Sequence, residues 1–277
     1  MTEREKAALG VLYDANYDES LAKEREMCKL KCQKYNRLSY DDYEGRKALI
    51  REIVAECKGR FFIEQPFICD YGYNISLGDG FYSNHNLIIL DAAKVEIGDN
   101  VFIAPDCGIY TAGHPLDVGD RNKGLEYAFP VKIGNNVWIG ANCVILRGTK
   151  IGDNCVVGNS TELKNVILFD NVQVPHYNYV GDSILGYKSH MGAGSITSNV
   201  KSDKLPVVIH NEGEEIETGR KKVGAMLGDF VEVGCNSVLN PGTVIGRESQ
   251  IYPLSCVRGE VPERSIWKTG GVVVKKQ

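Results

Sequence analysis

Aliphatic residues recur every six positions along most of the chain, usually followed by Gly and then by small or polar residues. The positions that share this phase are Ile97, Ile103, Ile109, Ile133, Ile139, Ile145, Ile151, Val157 and Leu163 and, after one change of phase, Leu185, Met191, Leu227, Val233, Leu239, Ile245, Ile251 and Val257. A period of six is typical of a parallel β-helix, in which three hexapeptides form one triangular coil and the aliphatic side chain points inward. An α-helix would require a period near 3.6 and a sandwich strand a period of two, so neither explains the pattern.

Two interruptions and the glycines refine this prediction. Near residues 115–132 and 201–222 the period breaks and then resumes, which predicts loops that leave the coil; the 24-residue step across the first is itself a multiple of six. The second segment carries His210 and is expected to cover a cleft, without a catalytic role for this histidine. We expect the glycine after each aliphatic residue to permit a tight corner.

The first 60 residues follow a different pattern. Only three of the 30 glycines precede residue 61. Residues 18–37 place Leu21, Cys28, Cys32 and Tyr35 on one helical stripe, and residues 43–57 do the same with Leu49, Ile50, Ile53, Val54 and Cys57. This spacing predicts an N-terminal helical segment over residues 1–60 that packs against the β-helix.

Composition narrows the class of protein. The 277 residues are 43% apolar, and the net charge is -4, which gives no reason to expect nucleic acid or an anionic membrane as a partner. No apolar run approaches the roughly 20 residues that span a bilayer, and the first ten residues, MTEREKAALG, are charged, so we expect a cytosolic protein. The nine cysteines form no C-x-x-C pair and are expected to be free, buried thiols without a metal, Cys28 and Cys32 included.

Residues 1–157 resemble the maltose and galactoside O-acetyltransferases. The similar stretches are EREKAALGVLYDANYDESL, CDYGYNISLGDGFYSNHNLIILDAAKVEIGDNVFIAP, IYTAGHPLDV and FPVKIGNNVWIG. This resemblance implies a left-handed β-helix over residues 61–157, acetyl-CoA as the co-substrate and a homotrimer. A face-to-face trimer also suits the flat, strand-lined sides of such a prism.

Acetyl transfer from a thioester requires one base to deprotonate the acceptor, and no covalent intermediate. By resemblance that base is His114 in TAGHP, and Glu126 could accept a proton from its imidazole and hold its tautomer. The resemblance also assigns acceptor contacts to Asp70, Asn84 and Asp91, and the cofactor channel to Trp138 and Ala141. Asn159 in GNSTEL stands where this family carries small residues beside the CoA arm.

Residues 158–277 resemble a second family, the acetyltransferase domain of bifunctional glucosamine-1-phosphate acetyltransferases and nucleotidyltransferases. The similar stretches are GNSTELKNVILFDNVQVPHYNYVGDSILG, HMGAGSITSNVK, GRKKVGAMLGDFVEVGCNSVLNPG and IYPLSCVRGEVP. The resemblance implies that His176 is the base for an amino-sugar phosphate. It assigns the acceptor to Lys164, Tyr179 and Asn199, and the cofactor to Lys222 and Cys235. Two positions depart from this family: His190 replaces the usual Asn, and Arg147 is one residue out of register with the substrate-binding arginine.

The sequence leaves several hypotheses open on the origin and the function of the protein. A natural fusion, an engineered chimera and an assembly artefact would all give such a two-part sequence. The first hypothesis is O-acetylation of a sugar through His114; the alternatives are N-acetylation of an amino-sugar 1-phosphate through His176 and a non-catalytic hexapeptide scaffold. A zinc carbonic anhydrase on the same fold would need two histidines close in sequence, whereas the nearest two here are 14 residues apart.

Overall fold

The computed structural model describes residues 1–211 and 213–276. Backbone contacts divide the chain into two compact units, Met1–Asn136 with Val144–Gly148, and Val137–Cys143 with the residues from Thr149 onward. The boundary at 157/158 is drawn from sequence resemblance and stays a prediction. Within the described part of the chain, every helix is too short or too polar to cross a membrane.

The first unit contains all four helices and short strands. The helices are α1 (Glu3–Ala8), α2 (Glu19–Arg37), α3 (Tyr43–Ile53) and α4 (Val118–Asn122). The strands of this unit are β1 (Tyr13–Asp14), β2 (Glu56–Cys57), β3 (Phe61–Ile63), β4 (Phe67–Cys69), β5 (Ile75–Leu77), β6 (Phe81–Ser83), β7 (Leu87–Leu90), β8 (Val95–Ile97), β9 (Phe102–Ile103), β10 (Gly108–Tyr110), β11 (Ala112–Gly113), β12 (Leu125–Ala128), β13 (Val131–Ile133) and β15 (Val144–Leu146).

The second unit is built from strands of two to four residues. They are β14 (Trp138–Ile139), β16 (Lys150–Ile151), β17 (Val156–Val157), β18 (Glu162–Lys164), β19 (Ile167–Leu168), β20 (Gln173–Val174), β21 (Tyr179–Gly181), β22 (Ile184–Leu185), β23 (His190–Met191), β24 (Ile196–Thr197), β25 (Val208–Asn211), β26 (Glu214–Glu217), β27 (Met226–Leu227), β28 (Glu232–Val233), β29 (Val238–Leu239), β30 (Val244–Ile245), β31 (Gln250–Ile251), β32 (Cys256–Val257), β33 (Glu260–Val261), β34 (Ser265–Lys268) and β35 (Val272–Lys275).

Each unit is a coil with three strand-lined faces. In the first unit β2-β5-β8-β13 form the first face, β3-β6-β9 the second and β4-β7-β10-β15 the third, all in parallel register. In the second unit the corresponding faces are β16-β19-β22-β27-β30-β33, β14-β17-β20-β23-β28-β31-β34 and β18-β21-β24-β29-β32. The chain visits the three faces in turn, so the prediction of a parallel β-helix is confirmed.

The predicted inward positions form the core of both coils. Every one of the 17 aliphatic residues that share the six-residue phase is at most 5% exposed. The change of phase between Leu163 and Leu185 has a simple cause. The inward residues there are Leu163, Leu168, Val174, Val180 and Leu185, so two sides of the coil have five residues instead of six.

The predicted role of glycine at the corners is wrong. The corner residue with positive φ comes two positions after the glycine and is most often Asn, as at Asn100, Asn136 and Asn154. Glycine is needed one step earlier, because the next coil passes too close for a side chain. A Cβ on Gly158 would collide with the carbonyl oxygen of Pro175, and one on Gly98 would lie 2.7 Å from the carbonyl oxygen of the glycine one coil further on.

The N-terminal helices cover the open end of the first coil. The predicted stripe of α2 is confirmed, because its buried residues are Leu21, Cys28, Cys32 and Tyr35. Asn36 of this helix exchanges two hydrogen bonds with the backbone of Phe67 in β4, at 2.9 Å each, so the helix satisfies an otherwise unpaired strand edge.

The prediction of a helix over residues 43–57 is correct only as far as Ile53. Val54 has an extended backbone and is buried, whereas Cys57 lies in β2 and is only half-buried, so neither belongs to a helical face. Helix α1 lies within the predicted helical segment but shows no apolar stripe of its own. A capping box formed by Thr2 and Glu5 marks its start.

Both predicted excursions leave the coil. The first contains β11, α4 and β12, and β12 pairs in antiparallel register with β11 and with β1. The second contains an antiparallel hairpin of β25 and β26. These excursions start where a strand of the third face ends.

Candidate active site

His114 lies just after β11, at the start of the first excursion. Its Nδ1 is 3.1 Å from the carbonyl oxygen of Leu125 in β12. Because a carbonyl only accepts a hydrogen bond, Nδ1 carries the proton in the neutral imidazole and Nε2 has the lone pair. The side chain is 50% exposed, so Nε2 is accessible to a substrate. The pairing of β11 with β12 therefore orients the imidazole of His114.

Glu126 lies beside the other nitrogen of the same imidazole. Its Oε1 is 3.7 Å from His114 Nε2, and its Oε2 accepts a 2.9 Å hydrogen bond from the hydroxyl of Tyr13. Burial, with the neighbouring Glu126 carboxylate, raises the pKa of Tyr13 well above its usual range, so this hydroxyl remains a donor. The carbonyl of Leu125 therefore determines the tautomer, and the Glu126 carboxylate lies beside Nε2.

Asp91 holds a turn next to this site. It is fully buried, and its Oδ1 accepts hydrogen bonds from the backbone N–H groups of Asp70 (3.1 Å) and Tyr71 (2.8 Å). Its Oδ2 is 3.4 Å from the backbone nitrogen of Asn74. Burial raises the pKa of Asp91 to about 7. In this structure Asp91 organises the turn that presents Asp70, whose own carboxylate is partly exposed and 3.6 Å from Lys29.

Two arginines that the sequence analysis did not assign to this site frame it. Arg147 donates a 2.6 Å hydrogen bond to the hydroxyl of Tyr127 and lies 4.7 Å from the centre of that ring, directly beside Gly113. Arg25 donates to the hydroxyl of Tyr71 at 2.6 Å. Arg147 was considered only as an out-of-register match to the arginine of the second family, and no local pattern pointed to Arg25 of α2.

Asn84 lies at a different corner of the coil from His114. It follows β6 of the second face, and its Oδ1 accepts a 2.8 Å hydrogen bond from the backbone N–H of His85. Asp70 and Asp91 follow β4 and β7 of the third face, and His114 lies in the excursion that starts where β10 of the same face ends. Within one chain the structure therefore brings together His114, Glu126 and the turn held by Asp91, and not Asn84.

In the second unit the predicted residues form two groups. The amide of Asn199 donates to Tyr179 Oη at 3.2 Å and to Asp182 Oδ2 at 2.5 Å. Burial raises the pKa of Tyr179. Lys164 is in β18, paired with Gly181 in β21, which also carries Tyr179.

His176 belongs to the other group, at the corner that follows β20. Its imidazole is exposed and makes no hydrogen bond or ion pair with the described residues; only its backbone is anchored, by Asn178 Oδ1 at 3.0 Å. Because no partner orients this imidazole, its position and tautomer are less well defined than those of His114.

The predicted cofactor residues of the second unit lie on its outer surface. Trp138 is 53% exposed in β14. The backbone N–H of Ala141 donates to Asn159 Oδ1 at 3.0 Å, so the side chain that replaces a small residue is used to join neighbouring coils. Lys222 forms a β-bridge with Val200. Cys235 is exposed.

Only one group of side chains has the spacing of metal ligands among the described residues. It consists of Cys28, Cys32 and Cys69, and no histidine belongs to it. The three-histidine arrangement of a zinc carbonic anhydrase is therefore absent from residues 1–211 and 213–276.

Two family models match the chain. Residues 6–59 match the maltose acetyltransferase hexapeptide capping motif, and residues 130–165 match the bacterial transferase hexapeptide of six repeats. Together with the coil and the oriented histidine, these matches define a hexapeptide-repeat acyltransferase.

Curated relatives and solved structures support the same class of enzyme. A putative acetyltransferase of Saccharomyces cerevisiae is 58% identical over 148 residues, which is 53% of this chain and 76% of the relative. Galactoside O-acetyltransferase of Escherichia coli is 42% identical over 158 residues, 57% of this chain and 76% of the relative. A galactoside acetyltransferase solved in complex with coenzyme A matches with a TM-score of 0.60 and 38% identity, covering 62% of this chain and 86% of that one.

A maltose O-acetyltransferase from Clostridium difficile is similar over a larger share of the chain. It has a TM-score of 0.55 and 37% identity, covering 80% of this chain and 98% of that one. The chain belongs to the hexapeptide-repeat acetyltransferase family that includes the galactoside and maltose O-acetyltransferases. The predictions of a left-handed β-helix and of a CoA-dependent acetyltransferase are thereby confirmed, while the resemblance of residues 158–277 to amino-sugar-phosphate enzymes stays a prediction.

Proposed function

We propose that the protein transfers the acetyl group of acetyl-CoA to a hydroxyl group of a sugar, with His114 as the general base. The observation that carries the proposal is the hydrogen bond between His114 Nδ1 and the carbonyl oxygen of Leu125, because in the neutral imidazole it places the lone pair on Nε2, and the side chain is exposed. The relatives named for galactoside and maltose acetylation support a sugar as the acceptor.

The reaction needs one proton to move twice. His114 Nε2 takes the proton of the sugar hydroxyl group while the oxygen of that hydroxyl attacks the carbonyl carbon of the thioester. The carbon–sulfur bond then breaks, and the imidazolium returns the proton to the departing thiolate, so ester and CoA thiol are formed and the base is regenerated. Glu126, 3.7 Å from Nε2, stabilises the imidazolium between these two transfers.

We also propose a homotrimer in which each site uses two copies of the chain. Asn84 lies at another corner of the coil from His114, so an acceptor can contact both only if Asn84 comes from a neighbouring copy. The second face of the first unit offers a surface for this packing. Phe62, Tyr82 and Phe102 form a ladder of rings 6.2 and 6.0 Å apart on that face, and Phe102 is 52% exposed.

The first experiment measures thiol release from acetyl-CoA with maltose, a galactoside, glucosamine and glucosamine-1-phosphate as acceptors. His114→Ala is expected to lower kcat for the hydroxyl acceptors by about 10²- to 10⁴-fold, the usual contribution of a general base. His176→Ala is the matched control and should leave that activity unchanged. Full activity of His114→Ala on every sugar would refute the proposal.

N-acetylation of an amino-sugar 1-phosphate in the second unit is the second candidate. The contact of Asn199 with both Tyr179 and Asp182 favours it, because it forms a polar group of the kind that binds an acceptor. Loss of glucosamine-1-phosphate acetylation in His176→Ala, but not in His114→Ala, would support this activity. The cytosolic location remains a prediction.

A further inference from the structure

Three buried cysteines converge between α2 and β4, and the reaction proposed above uses none of them. Cys28, Cys32 and Cys69 are 5%, 3% and 0% exposed. The Sγ atom of Cys69 lies 3.5 Å from that of Cys28 and 3.6 Å from that of Cys32, and all three sulfurs lie within 4.8 Å of one another.

Helix and strand geometry explain the convergence. Cys28 and Cys32 are four residues apart in α2 and therefore share one helical face. That face packs on β4, whose last residue is Cys69. No other His, Cys, Asp or Glu of the described residues completes a four-ligand set, so the cluster offers three sulfur ligands and no more.

The spacing of the sulfurs suits one small, soft centre. Thiolates prefer soft ions. Zinc–sulfur bonds of ~2.3 Å at tetrahedral angles would place two sulfurs roughly 3.8 Å apart, and the same bond length at right angles roughly 3.3 Å apart. The observed 3.5 and 3.6 Å lie between these limits. These two spacings favour a centre that bonds to its sulfurs at angles of roughly 100°, as at the apex of a trigonal pyramid; the third pair, Cys28 and Cys32, lies within 4.8 Å.

The surrounding charge favours a neutral product. All three thiols are buried, and each lies against another thiol of the cluster. Three thiolates around a monovalent or divalent cation would leave a net negative charge in this buried place, which is costly without a partner. Three thiolates around a trivalent centre carry no net charge.

We propose that Cys28, Cys32 and Cys69 form a binding site for a trivalent, thiophilic metalloid of the arsenite class. Arsenous acid, As(OH)3, enters with three thiols: three arsenic–oxygen and three sulfur–hydrogen bonds break, and three arsenic–sulfur bonds form. Each thiol proton leaves with a hydroxide as water. Arsenic stays trivalent, so the reaction needs no oxidant or reductant.

The bound centre would join α2 to β4 covalently through arsenic. We therefore expect arsenite to raise the unfolding temperature of the full-length, reduced protein, because it binds only where the three thiols meet in the folded chain. Native mass spectrometry should detect one arsenic per chain with loss of three hydrogens. X-ray absorption at the arsenic edge should detect three arsenic–sulfur bonds and no arsenic–oxygen bond.

Single substitutions test which thiols bind. Cys28→Ala and Cys32→Ala should each weaken arsenite binding by at least about 100-fold. Each variant loses one arsenic–sulfur bond, and that bond would form within an already bound complex, where the effective thiol concentration is high. Cys107→Ala is the matched control, a buried thiol outside the cluster, and should bind like the parent. Two cluster variants are used so that failure of one to fold leaves the other informative.

Three outcomes would overturn the proposal. They are the absence of bound arsenic in the folded parent, binding that survives both cluster substitutions, and preferential uptake of Zn²⁺ over arsenite when both are offered to the parent. Acetyl transfer is not the readout, so the result is independent of the function proposed for His114.

Discussion

The protonation of Asp91 should control the stability of the turn that presents Asp70. Asp91→Asn removes the titration and keeps the shape of the side chain. The amide oxygen can still accept from Asp70 and Tyr71, which both bind the same carboxylate oxygen in the parent. Only the 3.4 Å contact with Asn74 is lost, so the direct cost is about 1 kcal/mol.

The magnitude of the pH effect follows from the raised pKa. Burial raises the pKa of Asp91 to about 7 in the folded protein, from its ordinary value of 3.8. The folded chain therefore keeps a proton that the unfolded chain has released between about pH 4 and pH 7. The free energy of unfolding of the parent should fall as the pH rises through this window, by up to about 4 kcal/mol at 1.36 kcal/mol per pKa unit.

Denaturant unfolding of parent and Asp91→Asn at pH 4 and pH 8 measures this effect. The variant lacks the titration, so its stability relative to the parent should increase by about 4 kcal/mol from pH 4 to pH 8. A carbon-13 NMR titration of the Asp91 carboxyl carbon checks the midpoint directly. A difference between the proteins that does not change with pH would refute the reasoning, because it would mean that the three backbone N–H groups keep Asp91 ionised despite its burial.

Three further substitutions test other contacts. Tyr13→Phe removes the hydrogen bond to Glu126 and should lower kcat several-fold with little change in KM, and the stability by about 1–2 kcal/mol, measured by steady-state kinetics and denaturant unfolding. Gly158→Ala places a Cβ against the carbonyl of Pro175 and should destabilise the protein by about 2–3 kcal/mol in the same unfolding assay. Arg147→Leu removes the contact that braces the loop beside the base and should lower kcat/KM by about 10-fold in the thiol-release assay.

Matched controls accompany these substitutions. Tyr17 is exposed, and Tyr17→Phe should not change kcat. A Cβ on Gly259 would meet nothing within 4 Å, so Gly259→Ala should cost only the strain of its positive φ, about 1–2 kcal/mol. Wild-type kcat in Tyr13→Phe, parent stability in Gly158→Ala or parent kcat/KM in Arg147→Leu would each contradict the assigned contact.

Local patterns were sufficient to predict the coil, the face of α2 and the position of His114. An inward side chain recurs every six residues, so the period can be recognised within a short stretch of sequence, as for Ile139, Ile145 and Ile151. The capping helix likewise shows its buried stripe at a spacing of three and four residues. His114 was assigned from a motif, and the structure places it at the start of an excursion, as expected.

Only the tertiary structure decided what lies between coils and between helix and coil. The need for glycine at position 158 comes from Pro175 in the next coil, and the tautomer of His114 comes from Leu125 across a strand pair. The convergence of Cys69 with two thiols of α2 joins residues about 40 positions apart. Such contacts depend on how the coils stack and where a helix docks. Because a periodic sequence has the same pattern in every coil, it determines the repeat. It does not determine which side chains of neighbouring coils come into contact.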